Sequence, residues 1–320
     1  MKLLITGGAG FIGSNFIHYW HEKYPADSIV NIDKLTYAGN LNNLKGVAEE
    51  KNYRFVRSDI CDQNETLDKA IKNCDVIVHF AAETHVDRSL NSADEFLRTN
   101  IFGTYNLLCY AKKYNKRFHH ISTDEVFGSL DLESKEKFNE QTPYSPRNPY
   151  SASKASSDHI VQSFFHTHQL PITISNCSNN FGPYQNSEKF IPKAITNLIN
   201  GQKVPVYGRG VNVRDWLHVE DHCRAIDLII QKGRIGETYC VGGLTEDISN
   251  IDVIKIVLEE MNLKDDMIEF VTDRPGHDLK YAVDWTKINR ELGYQPTFDF
   301  STHLKTTIQW YLNNQWWWQN

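Results

Sequence analysis

The 320-residue sequence lacks the features that mark several classes of protein. Charged residues interrupt every apolar segment well before the roughly 18 residues that a membrane span needs, so no membrane association is expected. The six cysteines include no C-x-x-C pair, which predicts reduced core residues and not a disulfide framework. Basic residues do not cluster and the net charge is −6, which argues against a nucleic-acid partner.

The start of the chain also lacks a secretory signal. The short apolar stretch at residues 1–6 runs straight into glycines without a cleavage pattern, so we interpret it as a strand. With 40% hydrophobic and 23% charged residues, the composition is that of an ordinary folded enzyme. A cytoplasmic location is therefore expected.

Short β-branched or apolar runs alternate with longer amphipathic segments through the first half of the chain. This alternation predicts an α/β fold of the Rossmann type, with a doubly wound parallel sheet and right-handed crossovers. The expected strands are 3–6, 29–32, 53–56, 76–80, 118–122 and 172–177, and the expected helices are 11–24, 64–73, 93–114 and 150–168.

The alternation weakens after residue 178, where residues 179–184 have the composition of a loop. We therefore expect a smaller α/β substrate-binding lobe, made of 179–211 with 244–320. It would pack against a dinucleotide-binding domain made of 1–178 with 212–243, since no Pro/Ser-rich linker separates them. The tryptophan-rich end, 310–319, is predicted to be an amphipathic helix followed by an aromatic plug.

A glycine-rich turn follows the first expected strand. Residues 7–13, Gly-Gly-Ala-Gly-Phe-Ile-Gly, satisfy G-x-G-x-x-G, whose missing Cβ atoms let the backbone approach a pyrophosphate at a helix start. Asp33 stands at the end of the second strand, twenty residues past Gly13. A carboxylate there accepts hydrogen bonds from ribose hydroxyls and repels a 2′-phosphate, so NAD is favoured over NADP, although Lys34 is adjacent. A structural turn beside a surface aspartate is the alternative.

Two groups of residues suggest where chemistry takes place. Tyr150 and Lys154 are four residues apart, so on a helix they share a face, where an ammonium lowers the pKa of a phenol. Thr123, Asp124 and Glu125 follow the expected fifth strand, at the edge where parallel sheets bind ligands. Both carboxylates are expected to point into that crevice, one protonated as an acid and one acting as a base. The alternative is that each group is simply a pair of solvent-exposed side chains, as the same residues would be elsewhere in a chain.

These residues resemble those of the extended short-chain dehydrogenase/reductases and, more narrowly, of the dTDP-glucose 4,6-dehydratases. The glycine motif and Y-x-x-x-K mark only the superfamily, whereas Thr-Asp-Glu together with Arg-Pro-Gly-His-Asp is far narrower. Phe127 and Phe181 stand where the family usually has Tyr, and Thr84 replaces a common Ser. The matching segments are 6–13, 33–40, 81–89, 122–126, 150–158, 176–180, 214–218 and 273–278.

The resemblance implies a dehydration without net redox change. Tyr150, with Lys154, would take the proton of the glucose C4 hydroxyl as NAD accepts hydride from C4, and Thr123 would hold the C4 oxygen. Glu125 would remove the C5 proton, Asp124 would protonate the departing C6 hydroxyl, and the hydride would return to C6. The expected product from dTDP-glucose is dTDP-4-keto-6-deoxyglucose.

Adding the residues implied by the resemblance to the glycine turn and Asp33 gives two expected sets. The cofactor set is Gly7, Gly10, Phe11, Ile12, Gly13, Asp33, Lys34, Leu35, Thr36, Asp59, Ile60, Ala81, Ala82, Thr99, Tyr150, Lys154 and Asn180. The nucleotide-sugar set is Thr84, Thr123, Asn179, Lys189, Phe190, Pro205, Tyr207, Arg214, Asn250, Arg274 and His277, where the arginines suit a diphosphate. His79, His119 and His120 show no metal-ligand spacing, so core roles are expected.

Other functions stay open at this point. The nucleobase is not derivable from the residues, so a UDP-sugar 4,6-dehydratase is one alternative. A 4-epimerase or plain dehydrogenase is another, but it would have no use for the acid pair. A binding protein that senses the cofactor without catalysis is the third. The family usually forms dimers through the helices 93–114 and 150–168, so a homodimer with a four-helix interface is expected.

Overall fold

The computed structural model describes residues 1–244 and 247–319, so Thr245, Glu246 and Asn320 of the expected second lobe lie outside the described residues. The first half alternates strands and helices. Its elements are β1 (Lys2–Thr6), α1 (Phe11–Lys23), β2 (Ser28–Asp33), β3 (Tyr53–Arg57), α2 (Glu65–Asn73), β4 (Val76–His79), α3 (Val86–Asn91), α4 (Asp94–Phe96), α5 (Thr104–Tyr114), β5 (Arg117–Thr123), α6 (Pro149–His168) and β6 (Ile172–Cys177).

The second half has shorter strands. Its elements are β7 (Asn179–Phe181), α7 (Phe190–Ile199), β8 (Val204–Tyr207), β9 (Val213–Arg214), β10 (Trp216–His218), α8 (Val219–Lys232), β11 (Thr238–Val241), β12 (Ile248–Ser249), α9 (Asn250–Glu260), β13 (Ile268–Val271), α10 (Thr286–Leu292), α11 (Phe300–Asn313) and α12 (Gln315–Trp318).

A seven-stranded parallel sheet forms the centre of the first part, in the order β11-β6-β5-β4-β1-β2-β3. Helices α1 and α8 cover one face of this sheet, and α2, α5 and α6 cover the other. The strand order reverses between β1 and β4, which opens a crevice at the carboxyl ends of the strands. The predicted Rossmann-type fold is confirmed.

Strand β11 was not among the expected strands. It pairs with β6 in parallel, from Thr238 opposite Ile174 to Val241 opposite Cys177. It is reached through α8, which packs against α1. This pairing supports our proposal that residues 212–243 belong to the dinucleotide domain.

The predicted helix 93–114 is helical from Asp94 to Tyr114, but it is not a uniform α-helix. After α4 the backbone forms a π-helical segment, Leu97–Gly103, and only then α5. A π-helix holds about one more residue per turn than an α-helix and is frequent at functional sites. Within the segment, the Asn100 side chain clamps the backbone of Glu83, accepting from its N–H at 2.9 Å and donating to its carbonyl at 3.0 Å.

Three two-stranded sheets, β10-β7, β12-β9 and β13-β8, belong to the second part. Helices α7, α9 and α11 enclose its core, with Ile195, Val257 and Leu304 buried between them. The predicted aromatic plug is present, because Trp317 of α12 is only 8% exposed. Among the helices of the described residues, none is both apolar enough and long enough to cross a bilayer.

Candidate active site

The glycine-rich turn lies between β1 and α1, at the carboxyl edge of the sheet. Gly7 adopts a φ of +73°, which favours glycine, and a Cβ there would lie 2.6 Å from the backbone nitrogen of Ala81. A Cβ on Gly13 would lie 2.4 Å from the Gly7 carbonyl oxygen. The turn therefore keeps its shape only with glycine at both positions, and it leaves the first N–H groups of α1 open to an anion.

The Asp33 carboxylate is buried at the end of β2. Its Oδ2 accepts a hydrogen bond from the Ala9 N–H at 3.0 Å and its Oδ1 accepts one from the Leu35 N–H at 2.8 Å. Burial raises the pKa of this carboxyl, and the two backbone bonds oppose that rise. Lys34 is ion-paired with Asp59 at 2.8 Å. Its charge is thus partly balanced by a carboxylate, which agrees with the expected preference for NAD over NADP.

A first cavity runs from this turn to the end of β5. All predicted cofactor residues line it except Leu35, whose backbone instead supports Asp33. Ser178 Oγ, Asn179 Oδ1 and Gln185 Oε1 are buried in its wall without a hydrogen-bond partner among the described residues. Such polar atoms need a bound partner. Together with the glycine cradle and Asp33, they fit NAD.

A second cavity adjoins the first. It contains every predicted nucleotide-sugar residue except Thr123, which lines the first cavity. Arg214, Arg274 and Lys189 give its wall positive charge. Glu125 and Asn180 belong to the walls of both cavities, so a ligand that spans the two would pass these side chains.

Thr123 ends β5 and begins a 3-10 turn at Asp124–Phe127, with its hydroxyl accepting from the Glu125 N–H at 3.3 Å. The expectation that both acids point into the crevice is right only for Glu125. Asp124 is 1% exposed and is absent from the described walls of both cavities. The reason is the turn itself, because at about three residues per turn neighbouring side chains point in different directions. Asp124 lies behind Thr123, whose hydroxyl donates to its Oδ1 at 3.3 Å.

Burial acts strongly on both acids. It raises the pKa of Asp124 well above its usual range, and the neighbouring Glu125 and Asp215 raise it further. Burial also raises the pKa of Glu125, while Arg274 and Arg214 oppose that rise. Asp124 is therefore the acid that holds its proton, and Glu125 is the one that cationic neighbours favour as a carboxylate.

Tyr150 and Lys154 lie on the first turns of α6, beside the end of β5. The Lys154 ammonium donates to the Ile121 carbonyl at 2.8 Å and lies 3.4 Å from His120 Nε2, and burial lowers its pKa to about 8. Burial raises the pKa of Tyr150 well above its usual value, and Glu125 adds to the rise. The net shift of the Tyr150 pKa is thus upward, because burial of the phenol opposes the lowering expected from the Lys154 ammonium.

The histidines of the sheet have partners in the core. His79 lies between Thr6, at 2.7 Å, and Thr104, at 2.9 Å, while His119 pairs with Thr173 at 2.9 Å. His120 Nε2 lies 3.2 Å from the carboxylate of Asp158, within α6. Burial lowers the pKa of His79 and His119 well below the usual range and that of His120 to about 4. These rings are therefore neutral near neutral pH.

Of the residues that line both cavities, the sequence analysis missed two. Gln185 lines both cavities and donates from its side chain to the Asn180 carbonyl at 2.8 Å. Glu188 also lines both and lies 3.1 Å from Arg88, whose guanidinium covers the Tyr37 ring at 3.5 Å. The sequence shows Glu188 only as a charged residue in the polar loop after β7. The fold is needed to show that this loop lies over the crevice.

Comparisons with known proteins agree with this geometry. The family model described as GDP-mannose 4,6 dehydratase matches residues 4–307. The dTDP-glucose 4,6-dehydratase of Neisseria meningitidis is 49% identical over 100% of this chain and 95% of that protein, and the one of Mycobacterium tuberculosis is 46% identical over 100% and 96%.

Solved structures of related enzymes are similar as well. The Streptomyces venezuelae dTDP-glucose 4,6-dehydratase, with NAD bound, has a TM-score of 0.96 and 44% identity, covering 100% of this chain and 99% of that one. A UDP-glucuronic acid 4-epimerase from Bacillus cereus, also with NAD, has a TM-score of 0.91 but 26% identity, covering 98% and 99%. The sequence is thus closer to these dehydratases than to this epimerase.

Proposed function

We propose the function of this chain from its family, since it belongs to the GDP-mannose 4,6-dehydratase family and, within it, to the dTDP-glucose 4,6-dehydratases. It is an NAD-dependent enzyme that converts dTDP-glucose to dTDP-4-keto-6-deoxyglucose and water. The predicted cofactor and activity are confirmed by relatives that match the full length of the chain.

The roles of individual residues are our proposal. The glycine turn and Asp33 hold NAD, which supplies the acceptor and later the donor of one hydride. Tyr150 takes the proton of the C4 hydroxyl, and Lys154 stabilises the phenolate that this step requires. Once C4 is a ketone, Glu125 removes the acidic C5 proton. Its place in the walls of both cavities supports this role, because the sugar must lie between the cofactor and the nucleotide.

Asp124 provides the proton for the departing C6 hydroxyl. The raised pKa of this buried acid keeps it protonated, as a general acid must be. Because Asp124 lies behind Thr123, with their oxygens 3.3 Å apart, we propose a relay: the Thr123 hydroxyl turns to give its own proton to the departing C6 oxygen and takes the proton of Asp124 in exchange. Thr123 would then contribute to water loss as well as to positioning the C4 oxygen.

The acid pair is the observation that carries this proposal. A buried acid with a raised pKa, next to a second acid in the cavity wall, suits elimination of water, whereas an epimerase needs neither group. The test is to offer dTDP-glucose and UDP-glucose with NAD and to follow the mass of the sugar nucleotide. Loss of one water from dTDP-glucose supports the proposal, and an isomer of unchanged mass contradicts it. A faster reaction with UDP-glucose would favour the uridine alternative.

A homodimer remains a proposal of the same kind. Four large apolar side chains, Leu90, Leu97, Phe102 and Tyr105, are exposed on the outer face of α3, the π-helical segment and α5. Phe102 is 64% exposed. Such a concentration is unusual for a free surface, and the adjacent α6 offers the second helix of an interface between two copies. We propose that α5 and α6 of each subunit form a four-helix interface.

A further inference from the structure

Asn43 joins the end of the chain to the glycine-rich turn. This residue lies in a 3-10 turn at Leu41–Leu44 and is 1% exposed. Its side-chain N–H donates to the Ala9 carbonyl at 2.9 Å, and its Oδ1 accepts from the indole N–H of Trp317 at 2.6 Å. Because the donor and the acceptor of this buried amide are both used, the side chain has a single orientation. The positions of Ala9 and Trp317 therefore depend on each other.

Ala9 is the part of the turn that this amide holds. Its carbonyl also accepts from the Asn40 N–H at 2.9 Å, and its own N–H donates to Asp33 Oδ2 at 3.0 Å. Ala9 therefore contacts both Asn43 and Asp33, whose carboxylate is proposed to bind the ribose. Because Gly8 and Gly10 flank Ala9, the turn has little conformational preference of its own, and contacts from outside define its shape.

Trp317 is itself held firmly. Its ring lies 5.3 Å from the ring of Trp310 and 6.0 Å from that of Tyr184. The Tyr184 ring stacks on His18 of α1 at 6.1 Å, and the His18 ring lies 2.7 Å from the Asn43 carbonyl. The aromatic end of the chain therefore packs against both α1 and the loop that follows β2, the two segments that flank the turn.

We propose that Trp317 is a positioning residue for the dinucleotide, acting through Asn43 to hold the glycine-rich turn in the shape that binds NAD. An enzyme without net redox change must retain its cofactor between two hydride transfers, so slow release of NAD has a direct use here. To this extent the inference rests on the proposed function. The contact itself is independent of the sugar chemistry.

The variant Trp317→Phe tests this role, because it keeps an aromatic ring and removes the N–H. The Asn43 oxygen then lacks its donor, and we expect NAD to bind about tenfold more weakly and to dissociate faster. The matched control is Trp318→Phe, which loses the same group, but its indole donates to Tyr311 within the tail at 3.1 Å. Calorimetry gives the dissociation constant, and stopped-flow fluorescence gives the rate of NAD release.

A second variant approaches the contact from its other end. Asn43→Asp keeps an acceptor for the indole but cannot donate to the Ala9 carbonyl, so it should weaken NAD binding as well. The variant that carries both Trp317→Phe and Asn43→Asp should bind NAD only slightly more weakly than either single variant, since the two changes break the same chain of contacts. Excess NAD should restore the turnover that Trp317→Phe loses.

Equal NAD affinity and release for Trp317→Phe and Trp318→Phe would overturn the proposal. A lower melting temperature of Trp317→Phe with unchanged NAD affinity would also overturn it, because the contact would then be structural alone. The dehydratase assignment is tested separately by the product of the unaltered enzyme. A wild-type protein that binds NAD but releases no water from dTDP-glucose would fail that test and leave this one intact.

Discussion

Replacing Asp158 by Asn should move the pH dependence of the first oxidation. The Asp158 carboxylate is buried in α6 and accepts hydrogen bonds from Ser122 at 2.8 Å, Tyr144 at 2.9 Å and Asn176 at 3.2 Å. Its negative charge raises the pKa of Lys154, which burial lowers to about 8. The substitution keeps the shape of the side chain and one acceptor oxygen, removes the charge and replaces the other oxygen by an amide donor.

The size of the effect follows from the charges near Lys154. An opposite charge a few ångströms away typically shifts a pKa by about 1 to 3 units. Without it, the Lys154 pKa should fall from about 8 to about 7 or lower, since His120, with a pKa of about 4, is neutral and gives no compensation. At about pH 8 the charged fraction of Lys154 then drops from about a half to about a tenth.

The sign of the change is fixed by the role of the ammonium. Lys154 stabilises a phenolate only when it is charged, so the rate should fall as pH rises through its pKa. The alkaline limb of the oxidation rate should therefore move toward lower pH by about one unit in Asp158→Asn. Well below the new pKa, the variant and the unaltered enzyme should react at similar rates.

Single-turnover absorbance of the reduced cofactor, recorded from about pH 6 to about pH 9.5, measures this limb. Ser122→Ala is the control, because it removes one hydrogen bond to Asp158 and keeps the carboxylate charge. An unmoved limb in Asp158→Asn, or an equal shift in Ser122→Ala, would refute the reasoning. Circular dichroism and NAD affinity establish that both variants are folded.

Further substitutions test other parts of the site. Gly13→Ala should lower NAD affinity at least about tenfold by calorimetry, because its Cβ would meet the Gly7 carbonyl oxygen at 2.4 Å. Tyr150→Phe should abolish formation of reduced cofactor, whereas Glu125→Gln should permit it and slow water loss roughly 10²- to 10⁴-fold; equal losses of the first step in both variants would contradict the division of roles. Phe102→Lys should give a monomer in analytical ultracentrifugation, and an unchanged oligomer would exclude the proposed interface.

The strands β1 to β6 were predictable because they form a parallel sheet that helices cover on both faces. Parallel strands covered on both faces consist of apolar runs, and the four residues of β4 are all buried. Asp33 was recognisable for the same reason, since it ends such a run. Strand β11 escaped notice because its residues, Thr-Tyr-Cys-Val, are less apolar than the Val-Ile-Val-His of β4 and follow residue 178, where the alternation of strands and helices weakens.

Other features depend on contacts that no spacing in the sequence reveals. The burial of Asp124 follows from a single 3-10 turn after β5, whereas the sequence suggested only that two acids follow a strand. The direction of the Tyr150 pKa shift depends on how much protein surrounds the phenol, which α6 and its neighbours decide together. The contact between Trp317 and Asn43 joins positions 274 residues apart, so no local pattern could have indicated it.

The π-helical segment Leu97–Gly103 also limits how this chain can change in evolution. Its side chains serve two surfaces, with Thr99 in the wall of the first cavity and Phe102 on the outside. The wide turn takes up about one residue more than an α-helix would, so deleting one residue there would restore an ordinary α-helix while α4 and α5 keep their places. Thr99 and Phe102 would then no longer lie at their present angles. Substitutions can alter the two surfaces one at a time, whereas a single deletion would disturb both together.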